Sequence, residues 1–263
     1  MKYDLASHEC ELRLSGDRKN LVVALSHKEN FAFYRQPFTQ SVLFVRDKRH
    51  NYYSLYPGMV VDLVKSIIEE HGFNNVIFFG LSKGGYGALL LSALAGRRMP
   101  DVQFRALSFS PAARLYPKNS NVTFPSYVAM IRRSETNERL AGNLQKHGDL
   151  SKFIGEPNVF WRIVYSEGNR PDSLEAGALI HPNVQKYPLP FSFHGSTIPF
   201  TLDRTNSDQV SREVDAIYKD AANDPDLKAT VPESAEHLKK QLMQAKWIPT
   251  LVEIIDDTLS TNF

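Results

Sequence analysis

Residues 75–91, NNVIFFGLSKGGYGALL, constrain this chain more than any other stretch. Val76-Ile77-Phe78-Phe79 is a short, uniformly apolar run, β-branched then aromatic, as in a strand buried on both faces. Gly80-Leu81-Ser82-Lys83-Gly84 follows at once, and Gly85-Tyr86-Gly87-Ala88-Leu89 opens a helix rich in small residues. Strand, G-x-S-x-G and helix in succession describe a sharp turn with a strained serine at its tip. The flanking glycines are needed because a Cβ there would strike the neighbouring strand or helix. Ser82 Oγ then stands clear of the sheet edge, beside the positive end of the following helix. The competing reading is a turn that binds phosphate or merely packs tightly. Neither G-x-x-x-x-G-K-[ST] nor G-x-G-x-x-G follows a strand here, which argues against the phosphate version.

The flanking sequence reads as an α/β sheet protein. Residues 21–25 and 41–45 are apolar runs that predict buried strands, and 9–14 alternates as an edge strand or hairpin arm closed by a turn at Gly16-Asp17. Pro57 and Gly58 open an amphipathic helix that Gly72 stops. Residues 104–109 and 159–165 are further strands, and a helix is expected over 173–179. The run 188–193 is expected to be the last strand, at an edge because of its prolines. This rhythm predicts a mostly parallel central sheet with helices on both faces, whose ligands sit at the carboxyl ends of the strands. Ser26, Arg46, Ser82 and Ser110 all fall at those ends. Residues 112–157 break the rhythm and read as a helical insertion, either a lid over the strand ends or a packed connection. The domain is expected to span 1–222, with 223–263 as a helical extension packed on it. The apolar stripe of that extension (Leu238, Leu242, Leu251, Ile254, Ile255) is expected to be core, the alternative being a homo-oligomer interface.

Bulk properties narrow the class. With 263 residues and 42% hydrophobic side chains the chain can bury a full core, and a net charge of +2 makes no case for a nucleic-acid partner. Cys10 is the single cysteine, so no intrachain disulfide forms, and a reducing compartment is expected. No apolar h-region opens the sequence and no run of 18 apolar residues occurs. A cytoplasmic protein without a membrane span is therefore expected. His8-Glu9-Cys10 lacks a second ligand pair at usable spacing, so no metal site is expected.

A serine hydroxyl needs an adjacent base, itself oriented by an acid. Around such an elbow the partners follow in the order acid, then histidine, each in a turn after a later strand. Of eight histidines, His8, His27, His50 and His71 precede Ser82. His147 falls in the insertion, His181 before its strand and His237 in a late helix, which leaves His194. Asp172 and Glu167 both follow the 159–165 strand. Asp172 is preferred for its reach, although Asp172-x-x-Glu175 also reads as a helix cap. The oxyanion donors are expected to be the Lys83 N–H and that of Ser26 or His27. Arg46, Lys48, Arg49 and His50 form a basic loop at the same edge, and Arg46 and Arg49 are candidates for binding an anionic substrate. The alternative is a solvated charged loop, with Asp47 pinning it through a local turn bond.

With Ser82, Asp172 and His194 in that order, residues 21–222 resemble the α/β-hydrolase superfamily. More narrowly, FAFYR (31–35), VLFVRD (42–47) and GLSKGGYGAL (80–89) resemble hydrolase-like proteins of bacterial surface-polysaccharide and glycan synthesis. Accessory secretion-system O-acetyltransferases are among the distant relatives of that group. The resemblance implies hydrolysis of a small-molecule or glycan ester, or acyl transfer to a sugar hydroxyl, through an acyl-serine and without a cofactor. A hydrolase fold retained as a non-catalytic scaffold is the rival reading. The sequence departs from the family pattern in having no HGGG-type oxyanion loop, a short N-terminal sheet and an added helical tail.

Overall fold

The computed structural model describes residues 1–16 and 19–263; the turn expected at Gly16-Asp17 reaches Asp17, outside the described residues. Among the described residues eight strands form one sheet: β1 (Lys2–Asp4), β2 (His8–Arg13), β3 (Asn20–Ser26), β4 (Ser41–Asp47), β5 (Asn75–Leu81), β6 (Gln103–Phe109), β7 (Val159–Ser166) and β8 (Val184–Leu189). Their order is β1-β2-β4-β3-β5-β6-β7-β8. The β1–β2 and β2–β4 pairs are antiparallel, and every other pair is parallel.

Helical crossovers make the parallel pairing possible. α1 (Pro57–His71) joins β4 to β5, and α2 (Lys83–Arg98) joins β5 to β6. α3 (Pro125–Thr136) and α4 (Glu138–His147) lie between β6 and β7, and α5 (Arg170–Ala178) leads to β8. After β8 come α6 (Ile198–Thr201), α7 (Ser207–Ala221), α8 (Pro225–Lys228), α9 (Ala235–Gln244) and α10 (Leu251–Ser260). Gly72 ends α1 with φ of 76°, the left-handed stop expected of it.

Strand side chains alternate between two cores, as the pleat requires. Leu21, Val23 and Leu25 pack with α1, α2 and the insertion. Val22 and Ala24 pack with α7, α9 and α10 on the opposite face. Leu238, Leu242, Leu251, Ile254 and Ile255 are each at most 2% exposed within this second core. Each fully buried side chain of this size contributes roughly 1.5–3 kcal/mol. The C-terminal helices are therefore part of what covers the sheet.

Of the two readings of residues 9–14, the hairpin arm holds: β1 and β2 are consecutive and antiparallel, with Lys2 opposite Glu11, and β2 is not an edge. Two local expectations need correction. The last strand is β8 at Val184–Leu189, so residues 190–193 form a loop. Its first residues, Val184-Gln185-Lys186-Tyr187, are half-buried or exposed, as on an edge, and lack the apolar run that marks the inner strands. α5 begins at Arg170, not at 173, and its cap is Asn169, whose side chain accepts the Asp172 N–H. Asp172 is therefore not the cap, and its carboxylate is free for other partners.

Candidate active site

Ser82 caps α2 with φ 54° and ψ −110°, a conformation that costs of order 1–3 kcal/mol for a non-glycine residue. The Ser82 N–H is held by the Phe109 carbonyl at 2.8 Å, so the turn is tied to β6. A Cβ on Gly80 would lie 2.6 Å from the Gly84 backbone, and one on Gly84 would strike the Leu25 carbonyl. Those contacts explain glycine at both positions of G-x-S-x-G: β3, β5 and α2 meet there backbone to backbone.

His194 lies in the loop that follows β8, not on a strand, and is 7% exposed. Its Nδ1 is 2.7 Å from Asp172 Oδ1. Asp172, 4% exposed, projects from the first turn of α5. Its second oxygen accepts from Ser110 Oγ at 2.8 Å, and Ser110 Oγ in turn lies 2.8 Å from Ser196 Oγ. A carboxylate held by Ser110 on its far oxygen fixes the imidazole orientation and keeps the Nδ1 tautomer protonated. His194 Nε2 is buried and has no hydrogen-bond partner among the described residues. Ser82, His194 and Asp172 line one small cavity of about 100 Å³. Phe124 from the insertion packs against the His194 ring, 4.7 Å between centroids.

Glu167 is elsewhere. It is exposed, and its carbonyl accepts from Ser173 Oγ at 2.8 Å. Of the two acids that the sequence offers, the fold brings Asp172 to His194.

Lys83 N–H is the first of α2 and makes no backbone hydrogen bond among the described residues. Ser26 is the last ladder residue of β3, opposite Arg46, and His27 is the first residue beyond it. Ser26 Oγ accepts the N–H groups of Lys28 at 3.2 Å and Ala32 at 3.1 Å, which folds the loop back over the strand end. His27, Ser82 and Lys83 line a larger cavity of about 630 Å³. Burial, then the charges of Lys28 and Lys83, push the His27 imidazole down to about 3, so it is neutral at pH 7.

Sequence reasoning missed the roof of this cavity. Lys83 Nζ pairs with Asp226 Oδ2 of α8 at 2.9 Å and donates to Ser126 Oγ of α3 at 3.2 Å. Asp226 Oδ1 accepts the Ser126 N–H at 3.1 Å. Burial disfavours the charge on Asp226, but hydrogen bonds from Ser126 and Lys83 and the Lys83 charge outweigh it and hold its carboxyl below its ordinary value. The Gly195 N–H, next to His194, donates to Thr230 O at 2.7 Å. The insertion and the C-terminal segment thus meet beside the elbow, through the Lys83 ammonium group and through the direct Ser126–Asp226 hydrogen bond. Glu175 was weighed only as part of a cap; it is 7% exposed and accepts from Ala113 N, Asn119 Nδ2 and Asn121 Nδ2, clasping the start of the insertion.

The basic loop divides. Asp47 accepts N–H groups from Arg49 at 2.9 Å, Asn51 at 2.6 Å and Tyr53 at 3.2 Å, pinning the chain as its turn chemistry allows. Arg46 is occupied by Glu9 and the Glu29 carbonyl and does not line the cavity. Arg49 and His50 do line it. Among the described residues no cluster of His, Cys, Asp and Glu could hold a metal ion, and no helix is long and apolar enough to cross a membrane.

The eight-stranded order, the serine elbow after β5, and an acid and a histidine placed after β7 and β8 together define the α/β-hydrolase fold. No protein-family model and no curated protein sequence matches the chain. Among solved structures it is similar to the capsule O-acetyltransferase of Neisseria meningitidis serogroup A, at 15% identity over 73% of this chain and 86% of that one, TM-score 0.49. It is similar to Est1E from Butyrivibrio proteoclasticus at 13% identity over 74% and 89% of the two chains, TM-score 0.47. A third similar structure is the Glycosylation Associate Protein (Gap123) complex from Streptococcus agalactiae, at 16% identity over 72% of this chain, TM-score 0.48. The chain spans 41% of the length of that protein.

Proposed function

We propose that this protein is a serine enzyme that takes an acyl group from a carboxylic ester onto Ser82 and passes it to water or to a second hydroxyl. The observation that carries the reading is the buried 2.7 Å contact between His194 Nδ1 and Asp172, with His194 Nε2 unpartnered in a cavity that Ser82 shares. A buried imidazole nitrogen without a partner is costly unless a ligand or a reacting hydroxyl completes it.

In the first step His194 Nε2 takes the Ser82 proton as Oγ forms a bond to the ester carbonyl carbon. The negative charge that develops on the carbonyl oxygen is met by the Lys83 N–H and by the His27 N–H, with Ser26 as the neighbouring candidate. His27 is favoured because Ser26 is still engaged in the β3 ladder. The carbon–oxygen bond to the leaving alcohol then breaks, and His194 returns the proton to that alcohol. An incoming hydroxyl attacks the acyl-serine, gives its proton to His194, and Ser82 leaves with it. Asp172 stabilises the imidazolium at both stages while Ser110, itself bonded to Ser196, holds its second oxygen.

A second reading, transfer to a sugar or other alcohol, is favoured by one feature. The cavity of about 630 Å³ that Ser82 and Lys83 line together with Ser126 and Asp226 has room for an acceptor beside the acyl group. Turnover of p-nitrophenyl acetate with and without added alcohols distinguishes the two. Activity abolished by Ser82→Ala is expected in either case, and activity that survives that substitution unchanged refutes the mechanism.

A further inference from the structure

The cavity beside Ser82 carries more positive charge than the chemistry at Ser82 needs. Lys28 reaches it from the loop after β3, Arg49 and His50 from the loop after β4, and Arg133 from α3. Arg133 is anchored: its Nη2 donates to the Arg49 carbonyl at 3.1 Å and to Asn51 Oδ1 at 2.8 Å. That leaves most of its five donors for something else. Among the described residues, Lys28, Arg49 and Arg133 form no ion pair, whereas Arg46, Lys48 and Lys83 are matched by Glu9, Asp4 and Asp226.

Three acids share the lining, Asp226, Asp224 and Glu29, against the four cations Lys28, Arg49, Lys83 and Arg133, which leaves one positive charge in excess. Asp226 is engaged by Lys83 and Ser126. Asp224 accepts the N–H groups of Asp226 and Leu227 at the start of α8. The Glu29 side chain is 86% exposed and lies 3.9 Å from His50. Unmatched cations on a solvated loop repel one another weakly. Gathered from three segments around one concave space, they focus a positive potential into it. The insertion is also tied to the Asp47–Tyr53 loop through Arg133, which holds that guanidinium at the cavity, where its remaining donors suit a planar or tetrahedral oxyanion.

We infer that the cavity is a subsite for a small molecule bearing a phosphate or carboxylate group, which presents its ester or its accepting hydroxyl to Ser82. The assignment of that hydroxyl or ester rests on the acyl-serine reading above; the anion subsite itself does not. Arg49, Arg133 and Ser82 all line this one cavity, so the arginines engage the anionic group while Ser82 engages the reacting carbon. The charge then governs which ester is held and contributes mainly to KM.

The test has a binding arm and a kinetic arm. Glucose 6-phosphate and glucuronate are titrated calorimetrically against the wild type, Arg49→Gln, the Arg49→Gln/Arg133→Gln double variant, and Lys65→Gln on the outer surface of α1 as a charge control. The two ligands separate phosphate from carboxylate recognition. In parallel, kcat/KM is compared for O-acetylated glucose 6-phosphate and O-acetylated glucose. At least one anionic ligand is expected to bind the wild type and to lose about tenfold or more in affinity in the Arg variants but not in Lys65→Gln. The kinetic preference for the charged ester is expected to fall by a similar factor, chiefly through KM. Arg49→Gln keeps the test sound if the double variant is poorly folded, because the Arg49 side chain holds nothing else in place. Failure of both ligands to bind the wild type, or binding indifferent to Arg49 and Arg133, overturns the inference. If esters are turned over by Ser82 with no preference for charge, the subsite is wrong and the mechanism stands. If the ligands bind through the arginines while no ester depends on Ser82, the subsite stands and the mechanism is wrong.

Discussion

Asp226→Ala tests whether the C-terminal segment is a working part of the site. The substitution removes the Lys83 Nζ partner at 2.9 Å and the acceptor of the Ser126 N–H at 3.1 Å. It also leaves an ammonium group whose side chain is only 11% exposed. A hydrogen bond to a charged group contributes roughly 1.5–3 kcal/mol, and breaking a fully buried ion pair costs roughly 3–5 kcal/mol. Asp226 itself is 22% exposed, so water re-solvates part of what is lost, and Ser126 Oγ still faces Lys83. The expected destabilisation is about 2–3 kcal/mol, measured by urea unfolding. At roughly 2–4 °C per kcal/mol for a chain of this length, Tm falls by about 5–10 °C. Asp226→Asn keeps an oxygen for Ser126 and loses the charge, so it is expected to fall between the two. The carboxyl is held below its ordinary value, so this contribution is present above the usual carboxylate range and is lost only as pH falls through the lowered value. A Tm for Asp226→Ala within 1 °C of wild type refutes the idea that α8 is latched to the elbow.

The other predictions concern the triad and the buried histidines. Asp172→Asn is expected to lower kcat by about 10³–10⁴, through loss of the tautomer and of imidazolium stabilisation, while Glu167→Gln leaves it within about twofold; the reverse order assigns the acid to Glu167. Burial lowers the imidazoles of His27 to about 3 and His147 to about 4. The unfolded chain therefore binds more protons below pH 6.5, and stability falls on acidification by roughly 2 kcal/mol per histidine between pH 7 and pH 5. His147→Gln is expected to flatten that dependence in urea unfolding curves taken at the two pH values, and an unchanged slope contradicts the assignment.

What could be read from the sequence follows from how local each cause is. The serine elbow was legible because its strand, its glycines and its helix are contiguous, and the same glycines are what the backbone contacts with Leu25 and Gly84 demand. The inner strands β3 and β5 were legible because burial on both faces makes most of their residues apolar. β8 was misplaced for the converse reason. It lies at the sheet edge, so Gln185 and Lys186 remain exposed, while the apolar residues Phe191 and Phe193 belong to the loop that carries His194 and pack into the second core. Asp172 and Glu167 could not be separated by spacing, since what distinguishes them is the direction of one side chain toward a loop 22 residues later. Asp226 carried no signal at all. It belongs to a four-residue helix, and its partner lies 143 residues earlier. The tail read as an added layer because its apolar stripe is visible and its ionic contacts with Lys83, Arg162 and Asp215 are not.

The central claim is that Ser82 is a nucleophile activated by His194, and covalent labelling with a fluorophosphonate, mapped by mass spectrometry, tests it most directly. The account predicts a single adduct on Ser82 in the folded protein, absent from urea-unfolded chain and strongly reduced in His194→Ala. No adduct at Ser82 in the folded wild type, or equal labelling of the folded and unfolded chains, contradicts it.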